Sequence, residues 1–363
     1  MRQNNKQTRR YQSSDLFHYS LPGDGIGSEI MASGLEVLAT LAEKFQLDFK
    51  IETHPFGGAG IDALSDPLPE TTLSACQKAD AILLGAIGGP KWDNAPKRPE
   101  QGLLALRKAL GLFANIRPIQ VPNTIAHLSP LKKEIVEGTD FIVVRELTGG
   151  IYFGEPKHWD ENSAVDTLTY TASEIERIAV QAFELAKTRR NKVTSVDKAN
   201  VLASSKLWRE VIERVAERYP EVTLEHLYVD AAAMILIQRP TTFDVIVTEN
   251  MFGDILSDEA SVITGSLGML PSASHPESGP SLYEPIHGSA PDIAGQNIAN
   301  PMSMISSVSM MLRQSFQLFE AANYLDKAAA DTMEAGFLTK DLGGNTSTTD
   351  FTNEVKKRVK GGE

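Results

Sequence analysis

A chain of 363 residues is too long for one ordinary hydrophobic core, so its length predicts about two domains. The net charge of −12 argues against a nucleic-acid-binding protein, because the basic cluster that is free of acids is confined to the first ten residues. One cysteine, Cys76, excludes an internal disulfide. No apolar run approaches the roughly 20 residues that span a membrane, and the N-terminus lacks the apolar core of a secretory signal. We therefore expect a cytoplasmic protein with a solvated tail, residues 1–14.

The first motif in the chain is Gly23-Asp-Gly25-Ile-Gly27, between a predicted strand and a predicted helix. It lacks the G-x-G-x-x-G spacing of dinucleotide-binding loops. The segment fits a phosphate-binding loop and a tight structural turn equally well.

Residues 81–87 form a continuous apolar run that ends in glycines, as expected of a strand covered on both faces. In the helix predicted to follow, Leu103 and Arg107 point the same way because they are four residues apart. This pair would put an apolar patch beside a carboxylate-binding group, although a plain amphipathic helix explains it as well.

Two more arginines stand at turn-like places. Arg117 precedes a proline, and Arg145 ends a strand predicted from residues 141–144. Arginine binds carboxylates in a bidentate geometry that lysine lacks, so three such arginines in an acidic protein indicate a site for a dianion. Tyr152 follows in a glycine-rich segment, where a phenol can donate a proton or simply pack.

Two helices with one apolar face are predicted to begin at Ser173 and Ser205. Between them, residues 192–196 form a candidate strand, and Lys198 lies just beyond it. A lysine there fits a surface position. Beside a bound metal ion its neutral form would be favoured, and it could then take a proton from a hydroxyl.

Three aspartates are candidate metal ligands. A helix that begins near Asp254, after a turn at Gly253, would put the carboxylates of Asp254 and Asp258 on one face. Asp230 closes an alternating segment at a predicted strand end, where ligand groups cluster in α/β proteins. Hard oxygen ligands of this kind select Mg²⁺ or Mn²⁺. Each acid alone is equally explained as a helix cap or as a partner of the helix dipole.

The segment from Glu284 to Gly295 is rich in small residues, which would admit a flat ring or a ribose. Asp292 would accept from ribose hydroxyls and repel a 2′-phosphate, which favours NAD over NADP. The alternative is a helix capped by Ser289.

Residues 243–250, with the apolar run 245–247, predict a further strand.

Together these segments resemble the β-decarboxylating dehydrogenase family of the isocitrate/isopropylmalate type. The strings that carry the resemblance are GDGIG (23–27), RELTGGIYFG (145–154), VDKAN (196–200), GDILSD (253–258) and HGSAPDIAG (287–295). They follow the family's order and span most of residues 20–350. One departure is the segment before Gly23, which reads LFHYSLP where the family usually has a cleanly apolar strand.

The resemblance implies a role for each candidate residue. Arg107, Arg117 and Arg145 would hold the substrate carboxylates. Asp254 and Asp258 would bind Mg²⁺ or Mn²⁺ with Asp230, which a partner subunit donates and which would also contact the substrate. Lys198, likewise from across a homodimer, would be the base on the hydroxyl, and Tyr152 the acid that protonates the enol. The NAD site would comprise Ile26, Gly88, Gly89, Pro90, Lys91, Glu284, His287, Gly288, Ser289, Ala290, Asp292 and Asn300.

The resemblance also implies a two-domain α/β fold with a mixed sheet, unlike a Rossmann fold. Residues 15–111 and 265–363, which include both termini, would form the cofactor-binding domain, and residues 112–264 a dimerisation domain. The implied reaction is NAD-dependent oxidative decarboxylation of 3-isopropylmalate in leucine biosynthesis. Leu103 would favour an isopropyl group there over the carboxylate of isocitrate.

Two other classes remain open. A two-domain protein that binds an anion without catalysis would need neither Lys198 nor Tyr152. A nucleic-acid-binding protein conflicts with the net charge.

Overall fold

The structure, a computed structural model, describes residues 16–361, with the backbone alone for Leu16 and Phe17. The predicted tail, residues 1–14, lies outside the described part. The strands are β1 (Leu16–Gly23), β2 (Phe49–Thr53), β3 (Ala81–Ala86), β4 (Ala114–Gln120), β5 (Asp140–Glu146), β6 (His158–Trp159), β7 (Ala164–Val165), β8 (Lys192–Asp197), β9 (Thr223–Tyr228), β10 (Val245–Thr248), β11 (Pro271–His275) and β12 (Ser281–Pro285).

The helices alternate with these strands along the chain, as expected of an α/β protein. They are α1 (Gly27–Phe45), α2 (Gly58–Leu64), α3 (Glu70–Cys76), α4 (Pro99–Leu110), α5 (Lys133–Val136), α6 (Ala172–Lys187), α7 (Ala203–Ala216), α8 (Val229–Gln238), α9 (Asn250–Ile263), α10 (Met302–Gln314), α11 (Phe319–Glu334) and α12 (Thr348–Lys360). None of the helices in the described residues is both long enough and apolar enough to cross a membrane.

A single mixed sheet of ten strands organises the molecule, in the order β2-β1-β3-β12-β11-β4-β5-β10-β8-β9. Strands β2, β1, β3 and β12 pair in parallel, as do β5, β10, β8 and β9. Between these groups, β11 and β4 make the antiparallel pairs. The predicted mixed sheet, distinct from a Rossmann fold, is confirmed. Strands β6 and β7 form a separate hairpin.

The sheet consists of two halves that come from different stretches of the chain. One half takes its strands from residues 16–86 and 271–285, and the other from residues 114–248. Antiparallel pairing of β4 with β11 joins them in one ladder. The domain boundaries at residues 111–112 and 264–265 stay a prediction.

Apolar burial sets these elements in place. Strand β3 is buried at every position, and β5 at all but its first. Helices α1, α10, α11 and α12 pack on one another beside the first half of the sheet, while α6 and α7 pack together against the second half. The strands predicted from apolar runs are confirmed as β3, β5 and β10, and the candidate strand at residues 192–196 is confirmed as β8.

Several predicted element boundaries are wrong. Helix α6 is capped by Thr171 rather than Ser173, because Thr171 and Glu174 form a capping box. Helix α7 begins two residues before Ser205, whose Oγ accepts from the backbone N–H of Lys198 instead. Helix α9 begins at Asn250, so Gly253 lies inside the helix and not in a turn.

Three further placements differ from the prediction. Asp230 lies in the first turn of α8 rather than at a strand end, and Arg117 lies within β4 rather than at a turn. Ser289 caps no helix, because the segment around it forms turns. The unusual first strand does form as β1, with His18 and Ser20 buried.

Candidate active site

Three arginines gather where β4, β5 and α4 approach one another. Arg117 and Arg145 are 8% and 4% exposed, and Asn115, the cross-strand partner of Arg145, accepts from Nε of Arg117 at 2.8 Å. Burial, together with the nearby charges of Arg117 and Arg107, lowers the pKa of Arg145 to about 10. A cluster of buried cations is stable only with anions close by.

The carboxylates of Asp254 and Asp258 supply anions to this cluster from one face of α9. Nη1 of Arg145 donates to Asp254 Oδ1 at 2.6 Å, and Nη1 of Arg117 donates to Asp258 Oδ1 at 3.1 Å. The hydroxyl of Tyr152 donates to Asp254 Oδ2 at 3.0 Å. The structure therefore brings together five of the residues predicted for substrate, metal and acid roles.

Arg107 extends the cationic cluster from α4. Its Nη2 donates to Glu284 Oε1 at 3.1 Å, and both side chains are mostly buried. Its Nε is buried without a hydrogen-bond partner, so it can still donate to a ligand acceptor. Leu103, one turn earlier on the same helix, is partly buried against the apolar cluster under α4. The substrate role of the Leu103 and Arg107 pair stays a prediction.

Tyr152 has the properties of a proton donor. Burial raises the pKa of its phenol, and the adjacent Asp254 carboxylate raises it further, so the hydroxyl keeps its proton at neutral pH. Gly150 just before it has a φ of +75°, and a Cβ there would lie 2.7 Å from the hydroxyl oxygen of Tyr170. Glycine at this position is what lets the loop carrying Tyr152 approach α9.

Lys198 and Asp230 lie together, apart from the other acids. Nζ of Lys198 donates to Asp230 Oδ1 at 2.7 Å, which holds the pKa of this carboxyl below its usual range. In the described residues of one chain, no three carboxylate, histidine or cysteine side chains are placed to hold one metal ion. Asp230 thus does not join Asp254 and Asp258 within a single chain, as expected if a partner subunit donates it.

A cavity of about 680 Å³ lies beside the segment predicted to bind the cofactor. Five residues predicted for that role line it: Ile26, His287, Gly288, Ala290 and Asn300. Burial lowers the pKa of His287, so the ring is neutral and can lie against an apolar ring face. Ile293, Ile298 and Ala299 add further apolar lining.

The other residues predicted for the cofactor do not line this cavity. Ser289 is buried and its Oγ donates to the carbonyl of Gly88 at 2.8 Å, while Asp292 is exposed and directly precedes Ile293, which lines the cavity. Gly89 and Pro90 lead from Gly88 to Lys91, whose Nζ donates to Asp62 at 2.6 Å. In this structure Lys91 is therefore engaged in a surface ion pair, which no sequence pattern indicated.

The GDGIG segment is a tight structural turn. The carboxylate of Asp24 is buried and accepts backbone hydrogen bonds from Gly58, Ala59 and Gly88 at 2.8–2.9 Å. Because Asp24 itself occupies this ring of N–H donors, the arrangement supports the turn and not a phosphate loop at that point. Its effect is to fix the backbone of Ile26 at the cavity wall.

One wall of the cavity consists of residues that the sequence did not predict. Leu267, Gly268 and Asp341 line it, and Asp341 accepts from the amide of Asn300 at 2.9 Å and from the hydroxyl of Ser266. A turn-forming cluster, KDLGG at residues 340–344, was the available signal.

Comparison with known proteins places this geometry in context. The chain matches the family model described as isocitrate/isopropylmalate dehydrogenase over residues 19–355. It is similar to the 3-isopropylmalate dehydrogenase of Listeria monocytogenes, with 79% identity over 344 residues that cover 95% of this chain and 98% of the relative. The enzyme of the same name from Streptococcus thermophilus is 62% identical over 336 residues, covering 93% and 97%. The crystal structure of isocitrate dehydrogenase from Methylococcus capsulatus gives a TM-score of 0.85 at 31% identity, covering 95% of this chain and 99% of that one.

Proposed function

The chain belongs to the isocitrate/isopropylmalate dehydrogenase family, and we propose that it oxidatively decarboxylates 3-isopropylmalate to 4-methyl-2-oxopentanoate in leucine biosynthesis. It is an oxidoreductase, and the proposal adds NAD as oxidant and Mg²⁺ or Mn²⁺ as metal. The observation that carries it is the buried arginine cluster facing Asp254 and Asp258. That cluster suits a substrate with two carboxylates and a metal-chelating hydroxyl.

The donor set fits a hard divalent cation. Asp254 and Asp258 offer carboxylate oxygens from one helix face, and arginines supply the positive charge beside them in this structure. When bound, the metal ion would polarise the substrate oxygen and stabilise the negative charge that develops as CO₂ leaves. Asp230 would complete the set from the partner subunit.

Side chains of the protein bind the substrate and carry out the proton transfers. Arg107, Arg117 and Arg145 bind and orient the substrate carboxylates, and the partnerless Nε of Arg107 can donate there. Lys198 of the partner subunit takes the proton of the substrate hydroxyl while hydride leaves the carbon that bears this hydroxyl. After CO₂ is lost, Tyr152 donates its proton to the carbon that carried the carboxylate. The raised pKa of Tyr152 supports the donor role.

NAD would occupy the cavity lined by Ile26, His287 and Asn300 and supply the hydride acceptor. The carboxylate of Asp292 near the cavity edge would repel a 2′-phosphate, which supports NAD over NADP. Because the reaction draws on the cell's NAD pool, we propose the cytoplasm as its location.

An apolar surface on α8 and α9 supports a homodimer. Met234 and Ile237 on α8, and Ile255 and Val262 on α9, are 37–58% exposed. Large apolar side chains grouped on packed helices mark an interaction surface. A second copy of the chain seated here would bring Lys198 and Asp230 toward the partner's Asp254.

A comparison of substrates tests the proposal directly. NADH or NADPH formation is measured with 3-isopropylmalate, isocitrate, homoisocitrate, tartrate and malate at equal concentrations, with NAD and with NADP respectively. We expect 3-isopropylmalate with NAD to give the highest kcat/KM, because Leu103, one helical turn before Arg107 on α4, would favour an isopropyl group over a carboxylate. A preference for isocitrate would overturn the substrate assignment, and equal use of NADP would remove the role of Asp292. Stoichiometric binding of 3-isopropylmalate without NADH formation would favour a non-catalytic binding protein.

A further inference from the structure

Arg209 of α7 contacts two neighbouring strand ends at once. Its Nε and Nη2 donate to the two oxygens of Asp197 at 2.9 Å each, and its guanidinium carbon lies 5.2 Å from the ring centre of Tyr228. Asp197 and Tyr228 are register partners where β8 and β9 end. One side chain therefore holds both ends at a fixed separation.

The residues that follow these strand ends are the ones the proposed mechanism needs. Lys198 comes directly after Asp197, and Asp230 comes two residues after Tyr228. The two side chains meet at 2.7 Å. A displacement of either strand end would therefore move the base relative to the carboxylate.

Burial and bidentate geometry make the pairing of Asp197 with Arg209 specific to arginine. Asp197 is 1% exposed, and apart from Arg209 its carboxylate accepts from the backbone N–H of Ala199 at 2.9 Å. Removing the cation from a buried ion pair is strongly destabilising, because it leaves an uncompensated charge. Because the bond is bidentate and the guanidinium also lies over an aromatic ring, lysine cannot reproduce it.

We propose that Arg209 is a positioning residue, which sets the placement of Lys198 and Asp230 as they enter the partner subunit's site. The proposal rests on the proposed function, in which those two residues act as base and metal ligand. Arg209 itself touches neither substrate nor cofactor in this scheme. Its effect on the reaction is transmitted through the two strand ends.

The test compares Arg209→Gln and Arg209→Lys with a matched control, Arg189→Gln. Arg189 donates to Asp244, which is also 1% exposed, at the opposite end of the strands. Arg209→Gln leaves Asp197 without its arginine, and Arg189→Gln removes the closer of the two arginines beside Asp244, so both are expected to lower the Tm. Only the Arg209 variants disturb the strand ends that carry Lys198 and Asp230.

Both Arg209 variants are expected to lower kcat by about thirtyfold, because a misplacement near 1 Å can cost about a hundredfold. The KM for 3-isopropylmalate should stay within about threefold, since the substrate arginines belong to the other subunit. Mn²⁺ affinity, titrated without substrate, should weaken in the Arg209 variants and not in Arg189→Gln. Unchanged kcat and Mn²⁺ affinity in Arg209→Gln, or an equal loss of both in Arg189→Gln, would overturn the proposal.

Subunit mixing assigns the defect to one side of the shared site. Dimers re-formed from Arg209→Gln and Tyr152→Phe chains should recover about a quarter of wild-type activity, because half the dimers are hybrids with one intact site. Mixing Arg209→Gln with Lys198→Ala should recover nothing. Recovery in the mixture with Lys198→Ala and none in the mixture with Tyr152→Phe would refute the proposal. Wild-type protein that forms no NADH would instead refute the proposed function, and Mn²⁺ affinity would then be the remaining test of Arg209.

Discussion

Buried ionisable side chains define the site at the scale of single residues. Arg145 is almost fully buried, and its charge is offset by Asp254 at 2.6 Å. The residue types and spacing predicted this chemistry, since Asp254 and Asp258 share a helix face and arginine suits carboxylates. Sequence spacing could not show that Lys91 pairs with Asp62, or that Asp341 lines the cavity beside Ile26 and His287. Those contacts join segments far apart in the chain.

His18 is a buried residue whose effect is on stability. It is 0% exposed, neither ring nitrogen has a hydrogen-bond partner, and burial lowers its pKa to about 4. Below pH 6.5 the unfolded chain binds a proton that the folded chain refuses until about pH 4, so acid favours unfolding through this window. The contribution lost by pH 5 is about 2 kcal/mol.

Replacing His18 with leucine should remove this dependence. The free energy of unfolding, measured by urea titration at pH 7 and pH 5 and at one protein concentration, should fall less in His18→Leu than in wild type. The difference should be about 2 kcal/mol. His275, whose pKa burial also lowers to about 4, remains in both proteins as an internal reference. Identical pH dependence in the two proteins would contradict the assignment.

At the scale of elements, apolar periodicity predicted which segments are helices and strands, and local hydrogen bonds decided where they begin. Thr171 displaced Ser173 as the cap of α6 because it reaches Glu174. Gly253 looked like a turn residue, yet it lies inside α9. A Cβ at Gly253 would stand 2.7 Å from Cγ of Arg145, so the glycine makes room for a buried arginine. That requirement comes from packing between α9 and β5, which the local sequence does not contain.

The exposed apolar face of α8 and α9 leads to a prediction about assembly. Val262→Lys should weaken the dimer and lower activity, because Lys198 and Asp230 would no longer reach the partner's site. Sedimentation velocity over a range of protein concentrations, with NADH formation on the same samples, measures both effects. Phe319→Lys is the matched control, since Phe319 on α11 is 55% exposed and Val262 is 56% exposed. An unchanged dimer in Val262→Lys, or equal losses in both variants, would contradict the interface.

At the scale of the whole molecule, one sheet runs through both halves of the chain. The composition of the chain shows no boundary between the two halves of the sheet. Strands β11 and β12 come from residues 271–285 and yet pair with β4 and β3, which come much earlier in the chain. The resemblance to a family predicted this mixed sheet, whereas periodicity alone predicted only strands alternating with helices. The proposed sharing of the site between two chains is also a property of the whole molecule, since among the described residues Asp230 does not form a metal-binding group with Asp254 and Asp258.

We propose that this protein couples hydride transfer to decarboxylation at a metal site built from aspartates. The measurement is the simultaneous yield of NADH and CO₂ from 3-isopropylmalate, with Mg²⁺, with a chelator, and with Mg²⁺ restored. We expect equal yields of NADH and CO₂, loss of both on chelation, and recovery when the metal returns. NADH without CO₂, or a rate that the chelator leaves unchanged, would contradict the account.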